Sequence, residues 1–328
     1  MKRIWLNRDK KLLNEWSELL MSNNLMVDTQ VDYTIGIFDK DQLIGTASLY
    51  QNIIKCVSIS NQYQGNDLLA KLITYLLDYL KEQTVFHVFL YTKPESAILF
   101  ESLGFKQIIE TEHVVFMELG YPDFKDYLTS INEKKVNTKQ ASGIVMNANP
   151  FTLGHFYLIE KAASENEWVY VFVVSEDRSE FSTEERTTLV KKGCASLSNV
   201  TVLPTEQYQV SSATFPSYFL KEQAELDISA VQARLDAKLF KQYIAKNLGI
   251  TKRYVGNEPY SEVTNIYNGA MQEEFGDELE LIILDRKQID SEIISATKVR
   301  QAYGQRDFEK LKKMVPETTY NYLKTRGE

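Results

Sequence analysis

The stretch Gly143-Ile144-Val145-Met146-Asn147-Ala148-Asn149-Pro150-Phe151-Thr152-Leu153-Gly154-His155 holds the residues best suited to chemistry in this chain. An apolar run leads into a polar turn. A Gly-His pair then opens a helical pattern that carries Leu158, Ile159, Ala162 and Ala163. The first amide N–H groups of a helix have no partner within it, so they can receive an anion. Gly154 lets the backbone approach a ligand closely, and His155 stands where it can meet that anion. Strand, turn and Gly-His together read as a phosphate site in the first βα unit of a nucleotide-binding fold. An ordinary strand–turn–helix with a surface histidine has the same local pattern, so other motifs have to decide.

The second motif is Ile294-Ser295-Ala296-Thr297-Lys298-Val299-Arg300. Ser295 is placed to cap a helix, and Thr297 would offer its hydroxyl in the first turn. Lys298 and Arg300 add positive charge near that helix start, which suits a polyphosphate. An amphipathic helix start with solvated basic residues is the plainer alternative. Gly256-Asn257-Glu258 follows a short strand and supplies a glycine and an acid to a turn. Arg178, after Ser175-Glu176-Asp177, is a further candidate for phosphates or a solvated loop residue.

These motifs need elements to position them. Beyond residue 140 strands alternate with helices: Trp168 to Ser175, Val200 to Leu203, Tyr254 to Gly256 and Leu279 to Leu284 are strand-like, with helical stretches between them. Ser182-Thr183-Glu184-Glu185 is a capping box, and Gly249 ends an amphipathic helix from Leu235. Such alternation predicts a parallel sheet covered on both faces, with ligands beyond the carboxyl ends of its strands. The first part reads differently. Two strand runs, Tyr33–Asp39 and Leu43–Tyr50, form a hairpin candidate, and Ile53–Ile59 follows. The turn Gln62-Tyr63-Gln64-Gly65-Asn66-Asp67 then opens a helix from Leu68. Val85–Tyr91 and Val114–Leu119 are further strands. We therefore expect two domains, residues 1–128 and 141–328, joined by a polar linker at 129–140.

Composition is that of a globular protein, with 44% hydrophobic and 25% charged residues. A net charge of −8 disfavours nucleic-acid and bilayer binding. Cys56 and Cys194 make no disulfide framework and read as small buried side chains. His87, His113 and His155 show no metal-ligand spacing. No apolar run suits a membrane span or a secretory leader, so the expected compartment is the cytoplasm.

The run Thr152-Leu153-Gly154-His155 resembles the His-x-Gly-His signature of the nucleotidylyltransferase superfamily, with Thr152 in the first histidine position. Ile294–Arg300 resembles that superfamily's Ile-Ser-x-Thr-x-x-Arg element. Gln62–Asp67 and Ala97–Phe105 resemble two segments of the GNAT acetyltransferase fold. Three departures stand out: Asp67 where Gly or Ala is usual, Phe100 for an acid tyrosine, and Lys93 for an asparagine. Over nearly its whole length the chain is similar to the citrate lyase ligase family. The resemblance rests on Asn147–His155, on Ser211-Ser212-Ala213-Thr214-Phe215-Pro216-Ser217-Tyr218-Phe219, and on Leu235-Asp236-Ala237-Lys238-Leu239-Phe240. It implies an α/β chain: a GNAT-like α+β domain, then a Rossmann-like doubly wound nucleotidylyltransferase domain. It also implies ATP with Mg²⁺ as cofactors and acetate as the acid. The thiol acceptor would be the phosphoribosyl-dephospho-coenzyme A group on the citrate lyase acyl carrier subunit. His155, Lys298 and Arg300 would be catalytic. Asn147, Asn149, Pro150, Phe151, Thr152, Gly154, Gly256, Glu258, Ser295 and Thr297 would bind nucleotide, and Gln62 and Gly65 the pantetheine-type ligand. The 211–219 segment would lie on the nucleotide-site side and shape the acyl pocket. The role of Asp236 stays open. Two other readings remain at this stage: an adenylyltransferase with a regulatory front domain, and an acyl-CoA sensor or acetyltransferase.

Overall fold

A computed structural model describes residues 1–65, 67–175, 179–208, 215, 218–220, 225–257, 262–289 and 292–326. The chain divides into two units, Met1–Asp126 with Ser211–Leu235, and Tyr127–Val210 with Asp236–Glu328.

The first unit carries β1 (Lys2–Ile4), α1 (Lys10–Ser22), β2 (Tyr33–Asp39), β3 (Gln42–Tyr50), β4 (Ile53–Ile59), α2 (Leu68–Glu82), β5 (His87–Thr92), α3 (Pro94–Glu101), β6 (Lys106–Glu110) and β7 (Val115–Gly120). Its strands run β1-β2-β3-β4-β5-β7-β6 across one sheet. All neighbours are antiparallel except β4 and β5, which are parallel and paired only at Ile53–Phe89 and Ile54–Leu90. Beyond those pairs the two strands part. Cys56 sits in β4 with φ +52°, beside an irregularity in the β3–β4 register. Such a bulge bends a strand and adds twist. Leu72, Ile73, Leu76 and Leu80 recur at helical spacing on α2 and bury against Ile35, Leu49, Ile54 and Leu90 of the sheet.

The second unit takes most of α4 (Phe124–Asn132), then β8 (Ala141–Met146), α5 (Leu153–Glu165), β9 (Trp168–Val173), α6 (Thr183–Gly193) and β10 (Val200–Pro204). After α7 (Glu225–Leu239), which groups with the first unit up to Leu235, a π-helical stretch (Phe240–Ala245) and α8 (Lys246–Leu248) come β11 (Ile250–Gly256), α9 (Glu262–Phe275) and β12 (Glu280–Leu284). A short hairpin, β13 (Gln288–Ile289) and β14 (Glu292–Ile293), leads into α10 (Ala296–Gly304), α11 (Phe308–Met314) and α12 (Glu317–Arg326). The sheet order is β10-β9-β8-β11-β12, with every pair parallel. The order reverses between β8 and β11, and that is where a doubly wound sheet opens a crevice. Val169, Val171 and Val173 of β9 are fully buried with Ile144 and Met146 of β8, as strands covered on both faces require.

Two expectations change. Residues 129–140 are not all linker, because α4 runs to Asn132 with Phe124, Tyr127 and Ile131 buried on one stripe. Ser211–Leu235 groups with the first unit rather than the second. There Phe215 packs edge-on to Tyr91 at 5.7 Å, and the Tyr218 carbonyl accepts a hydrogen bond from Met26 N at 2.6 Å. Burial of these aromatics outweighs chain order in placing the segment.

Candidate nucleotide site and acyl-arm cleft

At the switch point of the second sheet lies a cleft of about 240 Å³. Its walls bring together Asn147, Thr152, Gly154, His155, Gly256 and Ser295, which the sequence separates by up to half the chain. A Cβ on Gly154 would lie 3.4 Å from Thr152 Oγ1 and 3.5 Å from the Ile294 carbonyl, so the glycine keeps that gap open.

His155 is oriented by a reciprocal cap at the start of α5. Thr152 Oγ1 accepts from the His155 amide at 3.2 Å, and His155 Nδ1 accepts from the Thr152 amide at 3.1 Å. The imidazole thus does what a Glu or Gln does in the usual capping box. An Nδ1 that accepts from an amide leaves the proton on Nε2. Burial first, and the Arg286 charge second, pull the His155 pKa down to about 4. The ring is a neutral Nε2–H donor at neutral pH. Phe151, fully buried, stacks on it with centroids 6.0 Å apart.

The turn before α5 is held by two arginines. Arg186 of α6, fully buried, donates through Nη1 to the Asn147 carbonyl at 2.8 Å, to Asn147 Oδ1 at 2.7 Å and to the Val174 carbonyl at 2.6 Å. Its Nε donates to the Phe181 carbonyl at 3.0 Å. Arg300 of α10 donates through Nη1 to the Asn149 carbonyl at 2.6 Å and through Nη2 to Thr297 Oγ1 at 3.2 Å. Asn149 Oδ1 accepts from Phe181 N at 3.2 Å. Ser295 caps α10 by accepting from Lys298 N at 3.3 Å. Asn149, Pro150, Phe151, Thr297, Lys298 and Arg300 are therefore beside or behind the cleft rather than in its lining. Glu258 and Arg178 lie outside the described residues. Asp236 belongs to the interior: its carboxylate pairs with Arg253 at 3.4 Å, and that guanidinium lies 4.4 Å from the Phe240 ring centroid.

Sequence reasoning missed Arg186, Asp285, Arg286 and Lys287. The last three form the turn leaving β12 and line the cleft. Arg286 Nε donates to the Asn257 carbonyl at 3.1 Å, which ties the exits of β11 and β12 together. Among the described residues no group of three or more His, Cys, Asp or Glu is placed to hold a metal ion.

The first unit has its own cleft, about 730 Å³, where β4 and β5 part. Val57, Ser58 and Ile59 face Leu90, Tyr91 and Thr92 across it, and Gln64, Gly65 and Asp67 line it at the start of α2. Gln62 is exposed and outside the lining. Its carboxylates, Asp67 and Glu95, sit at helix starts, not on the parted strands. Phe100 lines it, as do Tyr218 and Phe219. Tyr218 is bonded to the backbone of Cys56, and burial raises its hydroxyl pKa far above normal. Cys56 and Cys194 are buried, each thiol pushed up to about 12.

The second unit is thus a doubly wound parallel-sheet domain with a cleft at its switch point and a helix N-terminus on the cleft wall. Residues 141–323 match the model of the citrate lyase ligase C-terminal domain. The [citrate [pro-3S]-lyase] ligase of Haemophilus influenzae is 38% identical over 330 residues, 98% of each chain. Those of Escherichia coli K12 and Klebsiella pneumoniae are 38% and 35% identical, over 96% and 98% of this chain and 91% and 96% of their own. The chain belongs to the citrate lyase ligase family, and it is an acid–thiol ligase. Likeness to solved structures is low: Escherichia coli ElaA matches 36% of this chain and 97% of its own at 14% identity, with a TM-score of 0.32.

Proposed function

We propose that the second unit activates acetate as acetyl-adenylate and that the enzyme then acetylates the thiol of the prosthetic group on the citrate lyase acyl carrier subunit. The observation that carries this reading is the neutral His155 donor at the start of α5, in a cleft at the sheet's switch point. A carboxylate oxygen of acetate attacks the α-phosphorus of ATP. The P–O bond to the β-phosphate breaks, and its electron pair leaves with pyrophosphate. Acetate is already ionised, so the step needs no general base, which fits a neutral His155 and a Thr152 hydroxyl engaged in capping. His155 Nε2–H and the first amides of α5 would bind the α-phosphate oxygens as charge develops on them. Lys298, on the first turn of α10, would face the β- and γ-phosphates. Arg300 would hold the Asn149 turn and add charge there. Mg²⁺ commonly binds through one or two carboxylates plus substrate phosphates. Asp285 offers one such carboxylate in the cleft, which fits an ion arriving on the triphosphate and neutralising its charge. In the second step the thiol sulfur attacks the acetyl carbonyl, the C–O bond to AMP breaks, and the thiol proton passes to solvent.

The first unit would hold the pantetheine arm of the thiol. Its cleft, about 730 Å³, is lined by uncharged residues along the parted strands and has Asp67 where a pyrophosphate would be met. A thiol acceptor needs no amine-deprotonating group, and among the described residues no histidine or carboxylate of those two strands lines the cleft.

The test is incubation with Mg-ATP and acetate, with and without the thiol carrier, while AMP and pyrophosphate are measured. Acetate-dependent AMP that rises with the thiol supports the reading. Pyrophosphate with no AMP would mean an adenylyltransferase, and acetyl-CoA dependence without ATP consumption would mean an acyl-CoA enzyme or sensor.

A further inference from the structure

The signature motifs assign positive charge to Lys298 and Arg300, yet neither lines the nucleotide cleft. Arg300 is committed: Nη1 to the Asn149 carbonyl, Nη2 to Thr297 Oγ1, and Nε 4.0 Å from Glu180. Among the described lining residues the cationic side chains are Arg286 and Lys287, on the turn leaving β12. Arg286 is anchored through Nε to Asn257, whose own amide donates to the Leu284 carbonyl at 2.7 Å and whose Nδ2 donates to Asp285 Oδ1 at 3.2 Å. The guanidinium is thus fixed to the exits of two parallel strands rather than carried on a free loop. It is close enough to His155 for its charge to act on the imidazole. The cleft gathers a guanidinium, an ammonium and a helix N-terminus against one carboxylate, Asp285, so positive groups outnumber negative ones among its described lining. That balance favours a polyanion.

We propose that Arg286, with Lys287 beside it, contacts the phosphate chain of the nucleotide, next to the α-phosphate that His155 meets. A planar fork suits adjacent phosphate oxygens better than a point charge, so lysine should replace Arg286 only in part. This rests on the nucleotide reading of the cleft, but not on which acid or thiol is used.

The experiment compares wild type with Arg286→Gln, Arg286→Lys and Lys287→Gln in the full chain. ATP and adenosine binding are measured by calorimetry, acetate-dependent pyrophosphate–ATP exchange by label, and the His155 titration by NMR. The expected result is about 100-fold lower exchange kcat/KM in Arg286→Gln. ATP affinity should fall while adenosine affinity holds, the lysine variant should recover part of the loss, and Lys287→Gln should show a smaller ATP-selective defect. The His155 pKa should also rise in Arg286→Gln, as loss of a nearby positive charge requires, while the ATP-against-adenosine split separates a phosphate contact from a structural role. ATP affinity and exchange unchanged in Arg286→Gln would overturn the proposal, as would equal losses for ATP and adenosine. If Arg286→Gln fails to fold, Arg286→Lys and Lys287→Gln decide it: ATP binding and exchange at wild-type level in both would overturn it. ATP binding that depends on Arg286 without any acetate-dependent exchange would sink the adenylation reading and leave this assignment supported.

Discussion

Lowering the pH should protonate His155 only near pH 4, and the two capping bonds make that testable at one atom. In the unfolded chain the imidazole titrates near its ordinary 6.5; in the fold it titrates at about 4. Between those values the unfolded chain binds more protons, so stability is fully present above pH 6.5 and is lost as pH falls toward 4. At 1.36 kcal/mol per unit the loss is about 3 kcal/mol, an upper bound because the ring is half-buried on a wall of the cleft. Protonation also sets Nδ1–H against the Thr152 amide that it accepts from at 3.1 Å, so it dissolves the cap. Selective ¹⁵N labelling of the histidines reports protonation and tautomer together, with His155→Gln assigning the signal. The expected spectrum at pH 7 has His155 neutral with the proton on Nε2. A ring that titrates near 6.5, or that carries its proton on Nδ1, would refute the argument. The His155→Gln variant should lose about 10²–10³ in adenylation rate while keeping its fold.

Asp67 holds φ +54° at the start of α2 without capping it, so Asp67→Gly should stabilise the chain by up to about 1 kcal/mol in thermal unfolding. It should also tighten weak binding of free acetyl-CoA by removing a carboxylate from the cleft. Tyr218→Ala should leave acetate-dependent pyrophosphate exchange intact and slow thiol-dependent AMP release, measured side by side. Removing one partner of the buried Arg253–Asp236 pair should cost about 3–5 kcal/mol in denaturant unfolding, and Asp236→Asn should show most of that loss without an effect on ATP affinity scored per folded molecule. Gly193→Ala would put a Cβ 2.4 Å from the Phe151 ring, so it should destabilise the chain by about 1–3 kcal/mol and disturb the stack on His155, visible in the same histidine spectrum.

What the sequence made legible is the part of the molecule governed by local rules. The strand–helix alternation after residue 140 forecasts the parallel sheet, and the caps at Ser182, Ser295 and Gly249 are local hydrogen-bond or backbone requirements that the structure meets in place. The Gly-His pair at a helix start is local in the same way. Arg186 was not legible, because on a helix with Glu184, Glu185 and Lys191 it reads as one more solvated charge. Its burial is decided by carbonyls at the ends of β8 and β9, supplied by other elements. Asp285-Arg286-Lys287 carried a usable signal that periodicity does not weigh: a charged triplet directly at the carboxyl end of a strand in a parallel sheet. The 211–235 segment had none, since a long aromatic connection states neither period nor destination. Chain order placed it with the nucleotide unit, and the apolar surfaces of Tyr91, Phe215, Tyr218 and Phe219 placed it with the other. That detour has a consequence for catalysis. The segment between β10 and α7 supplies Tyr218 and Phe219 to the first unit's cleft, so a variant at Tyr218 acts on that cleft. Thiol transfer and adenylation should then be separable by mutation at Tyr218 but never by cutting the chain at residue 140, since the shorter front piece would lack its own cleft wall.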